Sequence, residues 1–322
     1  MILAALALVA ALGAGDPLPP IAERVRRGED EAALRDVRAA LAAGRVADTP
    51  RGLRFLEGRL LAELGDAVGA RAAFDRALAE ETLLAPWTRQ ELAELDLAAG
   101  EHAAAAQRLL LAFASSADRR LRDRAHAALR RSAEAGAGCR QLRAGPPAPA
   151  RHRSDARRLE LLVADCDLAA GDLVAAGRRW QTLLRERNDD RVAQEIVDRL
   201  GRRELAVVPR PDLPDDLLGL AAARQRDFAR AVPVLERAVA VAVGARRAEL
   251  ALALARSRFW LGDHSAAASA LETLAAQASP GPQRAEALFF AARARELAAD
   301  FAAALADHRS AEAAAPHGPW AD

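Results

Sequence analysis

Apolar positions along this chain recur at the spacing of helices and are punctuated at intervals by a small residue followed by an acid. The punctuating dyads are Gly28-Glu29, Gly65-Asp66, Gly100-Glu101, Gly171-Asp172, Arg226-Asp227, Gly262-Asp263 and Ala299-Asp300. Five residues after the first member of each stands an alanine: Ala33, Ala70, Ala105, Ala176, Ala231, Ala267 and Ala304. Four residues further on come Val37, Phe74, Leu109, Trp180, Leu235, Leu271 and His308, and three beyond those Ala40, Ala77, Ala112, Leu183, Ala238, Leu274 and Ala311. Glycine takes the left-handed conformation that ends one helix, and an acid after it caps and charge-matches the start of the next. The alanine lets two helices approach closely, and the bulky residue one turn later fills the space beside it. The pattern predicts helix-turn-helix hairpins, repeated, with essentially no strand.

Thirty-seven residues separate Gly28 from Gly65, 35 separate Gly65 from Gly100, 36 separate Arg226 from Gly262, and 37 separate Gly262 from Ala299. Two stretches break this register. Gly136 falls where a dyad is due, but the helix after it runs into Gly145-Pro-Pro-Ala-Pro149, which cannot be helical throughout. Residues 136–155 are therefore expected to form a short helical remnant and a proline-rich loop. From Gly171 to Arg226 the interval is 55 residues, and the surplus predicts one extra helix, Asp190 to Leu200, followed by an extended segment, Val207 to Pro214.

Gly58 to Leu61 with Gly65, Asp66, Ala70, Phe74 and Ala77, then Phe228, Ala231, Leu235 and Ala238, then Phe301, Ala304 and Pro316, resemble the tetratricopeptide repeat (TPR) signature. The tryptophan and paired aromatics of that family's first helix are mostly missing. The resemblance implies an all-α fold, a TPR-like right-handed superhelix of helix-turn-helix hairpins with two proline-rich interruptions. The expected layout is an apolar leader (1–15), an N-terminal stack (16–135), a loop (136–155), a middle hairpin with an extra helix (156–200), a linker (201–214) and a C-terminal stack (215–322).

Composition agrees with helices. Alanine, leucine and arginine dominate the 322 residues, lysine and tyrosine are absent, and β-branched and aromatic residues are few. The formal charge is +1, which argues against a nucleic-acid binder, whose affinity comes largely from phosphate neutralisation. Met1 to Leu12 is an uninterrupted apolar run followed by Gly13-Ala14-Gly15. It is too short to span a bilayer and suits a cleaved signal peptide, although no Lys or Arg precedes it. The expected location is the periplasm or cell envelope, with no stable membrane span after cleavage. The only cysteines, Cys139 and Cys166, either pair there, for about 3–4 kcal/mol of stabilisation, or remain two small hydrophobes.

Nothing in the chain spells out catalysis. The six histidines, His102, His126, His152, His264, His308 and His317, show no metal-ligand spacing, and His102 and His264 stand where Phe228 and Phe301 stand in sister repeats. The two acids beside Cys166 would raise a thiol's pKa rather than activate it. No phosphate loop, nucleophile elbow or CxxC pair occurs, so no enzyme activity, cofactor or metal is expected. Arg119 to Arg131 places Leu121, Ala125, Ala128 and Ser132 on one helical stripe, with arginines as a solvated face.

In TPR proteins the first helix of each hairpin lines a concave surface that recognises extended peptides. The resemblance assigns that surface here to Phe55, Arg59, Glu63, Trp87, Gln90, Glu94, Asp165, Arg256, Trp260, Phe289, Arg293 and Glu296, with Arg59, Arg256 and Arg293 at equivalent places. These arginines either engage a partner or pair with nearby acids. The implied function is an exported scaffold or adaptor for a protein or peptide partner, with peptidoglycan as a weaker candidate. Residues 286–296 and 315–322 also resemble the helical superstructure that precedes the catalytic domain of soluble lytic transglycosylases. That resemblance makes an accessory domain of such an enzyme, with its catalytic module absent from this chain, the alternative expectation.

Overall fold

A computed structural model describes residues 18–43, 50–80, 83–146, 152–204, 213–279 and 281–319. The expected leader (1–15), residues 147–150 of the first proline-rich stretch and 205–212 of the second lie outside the described residues. The described residues form helices and no strand, and the chain divides into two compact units, 1–170 and 171–322.

Unit 1 contains α1 (Leu18–Arg26), α2 (Asp30–Ala42), α3 (Pro50–Glu63), α4 (Ala67–Ala79), α5 (Ala85–Ala98), α6 (His102–Ser115), α7 (Arg119–Glu134), α8 (Cys139–Ala144) and α9 (Arg153–Ala169). Unit 2 contains α10 (Leu173–Glu186), α11 (Arg191–Glu204), α12 (Asp215–Arg224), α13 (Phe228–Val241), α14 (Gly244–Trp260), α15 (His264–Gln277), α16 (Pro282–Leu297) and α17 (Phe301–Ala314). Consecutive helices pack as hairpins, α3 on α4, α5 on α6, α12 on α13, α14 on α15 and α16 on α17, and within each unit neighbouring hairpins pack on one another. The extra helix after α10 is α11, with Asp190 capping it by accepting from the Ala193 amide at 2.9 Å. The helical remnant after Gly136 is α8, and α9 already begins at Arg153.

The dyads do what their chemistry predicts. Gly28, Gly65, Gly100, Gly171 and Gly262 are left-handed (φ +73° to +88°), and so are the two non-glycine members, Arg226 at +62° and Ala299 at +61°. At Gly65-Asp66 the Gly65 amide donates to the Ala62 carbonyl and the Asp66 amide to that of Leu61, a Schellman closure. Arg226-Asp227, Gly262-Asp263 and Ala299-Asp300 repeat it. Side-chain capping divides by residue type. Asp66, Asp172, Asp227, Asp263 and Asp300 each accept from the amide three residues on, whereas Glu29 and Glu101 make no such bond. The extra methylene of glutamate carries its carboxylate past the first turn.

The core is built where the repeat places it. Ala33, Ala70, Ala105, Ala176, Ala231 and Ala267 are completely buried, as are Val37, Phe74, Leu109, Trp180, Leu235 and Leu271. Seven positions before six of the seven dyads the first helix carries a small residue, Gly58, Ala93, Ala164, Gly219, Ala255 or Ala292; before Gly28 it carries Ile21. A Cβ on Gly58 would sit 2.5 Å from the Phe74 ring, and one on Gly219 2.7 Å from Leu235. The two cysteines are joined, Cys139 of α8 to Cys166 of α9 with Cα atoms 5.5 Å apart, and both are buried. The bridge ties the short helix to α9 across the proline-rich stretch.

Candidate partner-binding groove

Of the twelve residues assigned to a recognition surface, those in unit 1 are mostly committed to the fold. Phe55 is 5% exposed, its ring 5.8 Å from that of Phe74, because the small residue Gly58 lets α4 close over this side of α3. Gln90 is completely buried and donates to Glu94 at 3.0 Å, and Trp87 packs against the core. Phe55 and Gln90 are therefore core rather than recognition residues. One turn beyond Phe55, Arg59 reaches the next first helix, donating to Glu91 of α5 and to Glu63, each at 2.8 Å. Glu94 accepts from Arg131 of α7. Asp165 lies half-buried on α9.

The arginine-dense α7 buries Leu121, Ala125, Ala128 and Ser132 as expected. Arg119, Arg120 and Arg131 are exposed, as the sequence implies, but not every arginine is solvated. Arg122 is buried, donating to Asp155 at 2.8 Å and to the carbonyls of Ser116 and Ala117, because α9 packs over this end of α7. Arg124 contacts Glu91 at 3.5 Å. The first helices of unit 1 are thus cross-linked by arginine-carboxylate pairs.

In unit 2 the same grammar leaves an opening. Arg256 donates to Glu286 at 2.7 Å, its guanidinium carbon 4.7 Å from the centre of the Phe290 ring. Arg293 pairs with Glu296, which also contacts His308 at 2.9 Å, while Phe289 packs edge-on against Phe290 and His308. Trp260, however, is 52% exposed, stacked on Phe228 with ring centres 6.2 Å apart and planes 14° from parallel. It stands in a cleft of about 460 Å³ between α12, α14 and α16, floored by Leu220, Leu252 and Ala253. A second cleft of about 340 Å³ shares Leu220 and Glu249 with it and runs towards Arg185 and Asn188 at the end of α10.

Charge in this groove is uneven. Arg185, Arg224, Arg226, Arg246 and Arg256 line it against three acids, Asp216, Glu249 and Glu286. All three acids are taken: Arg246 holds Asp216 and Glu249, and Arg256 holds Glu286. Arg185, Arg224 and Arg226 have no ion-pair partner among the described residues. Asp189, which feels the charge of Arg224, is bonded to Arg187 at 2.6 Å, and that guanidinium holds its carboxyl below the usual range.

Arg256 and Trp260 are the two predicted residues that this groove brings together. Sequence reasoning missed Arg224, Arg226 and Phe228. The signal for Arg226 was present, since it replaces the glycine of five sister dyads. His264 packs its ring on Phe259, as its place in the repeat implies, and Cys166 carries no free thiol.

Stacked hairpins with left-handed junctions, small residues facing bulky ones and a groove along the first helices define a TPR-like helical repeat protein. No protein-family profile matches the chain, and no curated protein matches it significantly in sequence. Among solved structures, that of Naa15/Naa10 bound to HypK-THB aligns with 90% of this chain at 16% identity and a TM-score of 0.31. The chain spans about half, 51%, of the chain it matches there.

Proposed function

We propose that this protein is an exported, non-catalytic TPR-like scaffold that engages another protein through the groove of unit 2. The observation that carries this is Trp260, a large aromatic side chain left half exposed in a concave cleft where Arg224 and Arg226 have no ion-pair partner among the described residues. Large aromatics and arginines are the side chains that dominate binding energy at protein interfaces. The cleft also lies within the ~300–1,000 Å³ range of ligand sites. Export is supported by the apolar run at residues 1–12 and by the buried Cys139–Cys166 bridge, since disulfides persist in oxidising compartments.

A photo-crosslinking amino acid at position 260, expressed in the producing organism, is expected to give one discrete adduct with a protein. The same group at exposed Val68 should not give that adduct. Equal labelling from both positions, or none from position 260, overturns the proposal. Resemblance at residues 286–296 and 315–322 supports a second use of the scaffold, beside a lysozyme-like catalytic domain. A position-260 adduct to such a domain would favour it.

A further inference from the structure

We infer that the occupant of the unit 2 groove is an acidic peptide segment bearing a large apolar side chain, with Arg224 and Arg226 receiving its carboxylates and Trp260 its apolar group. The inference rests on the scaffold reading above and specifies its partner. Its first support is the polar inventory of the groove. Every acid lining it is bonded to Arg246 or Arg256, whereas Arg185, Arg224 and Arg226 have no ion-pair partner among the described residues, so guanidinium donors are in surplus there. Such a surface selects a ligand rich in acceptors and negative charge, and guanidinium matches carboxylate geometry two bonds at a time.

The second support is the apolar strip beside the charges. Phe228 and Trp260 form a stacked wall over a floor of Leu220, Leu252 and Ala253, which a purely charged ligand would leave wet.

The third is the backbone at Arg226. Its φ of +62° is a conformation that costs a side-chain-bearing residue and that Gly28, Gly65, Gly100, Gly171 and Gly262 adopt freely at the equivalent turn. The turn itself gains nothing from arginine. A Cβ at the equivalent Gly262 would meet no atom within 4 Å, so this turn position projects away from the packing. The arginine is exposed and lines the groove.

These features give a test in which binding and folding move apart. The probe is a short fluorescein-labelled peptide of glutamates around one phenylalanine, read by anisotropy against the full chain. Three controls accompany it: alanine in place of the phenylalanine, arginines in place of the glutamates, and a single-stranded oligonucleotide. The acidic phenylalanine peptide is expected to bind, with an affinity that falls as salt is raised. Arg226→Gly should weaken it about tenfold, the loss of one charge-assisted contact, without lowering the thermal midpoint. Trp260→Ala should abolish the advantage of phenylalanine over alanine. No binding of the acidic peptide, equal binding of the arginine peptide or the oligonucleotide, or unchanged affinity in Arg226→Gly overturns the inference. A position-260 adduct obtained despite such a failure would leave the scaffold reading standing, whereas loss of both results removes both.

Discussion

Single residues divide the repeat into positions that tolerate change and positions that do not. At Gly262 an added Cβ meets no atom within 4 Å, so Gly262→Ala pays only the left-handed backbone penalty, and we expect a loss of about 1 kcal/mol in urea unfolding. Ala299→Gly relieves the same penalty at φ +61° and should be neutral to stabilising by up to ~1 kcal/mol. Gly58 is a different case. It lies within a helix, where alanine is intrinsically favoured, yet the Cβ would meet the Phe74 ring at 2.5 Å. Gly58→Ala is therefore expected to cost about 1–3 kcal/mol through overpacking, against the direction helix propensity predicts.

Helix ends and ion clusters set the next scale. The five aspartates of the dyads cap the following helix, and the two glutamates do not. Asp263→Ala should cost about 1 kcal/mol, whereas Glu101→Asp should gain up to about that amount, both measured by chemical unfolding. Arg295 of α16 sits among Glu272 of α15, the cap residue Asp300 and Asp307 of α17, three acids around one cation. Burial, together with repulsion from Glu272, raises the Asp307 carboxyl above its ordinary range despite Arg295. A folded-state pKa raised above the unfolded one favours folding at low pH, and this contribution is lost as pH rises through the folded value. Asp307→Asn should therefore stabilise the protein at neutral pH, with the gain disappearing below about pH 4, where the aspartate is already protonated in both states.

Across the whole molecule, the two units depend on different reinforcements. Unit 1 holds its irregular fourth hairpin, in which α8 is a single short helix, through the bridge between residues 27 apart in sequence. A loop of that length is worth about 3.5 kcal/mol in the chain-entropy account. After reduction and alkylation, hydrogen exchange is expected to accelerate in α6 to α9 and to remain unchanged in α12 to α17. Equal acceleration in both units would show that the bridge supports something other than the local hairpin.

The periodic dyads marked the turns between helices, because a left-handed glycine followed by an acid is a local device whose geometry needs no distant partner. The all-α class followed from the same residues. Less visible was the small residue seven positions before six of the seven dyads, which makes sense only once Phe74 is seen lying over Gly58 and Leu235 over Gly219. The candidate surface was legible in part: register placed Arg59, Arg256 and Arg293 at equivalent positions, but could not say which acids would meet them. Those acids, Glu91 and Glu286, come from the next hairpin, roughly one repeat away in sequence, and pairing at that distance is decided by packing. Packing also turned Phe55 and Gln90 inward, and left Trp260 at the mouth of a cleft beside Arg224 and Arg226. The sequence by itself therefore determined the helical class and where the helices turn. Only the tertiary structure decided which of their charges are spent on one another and which remain for a partner.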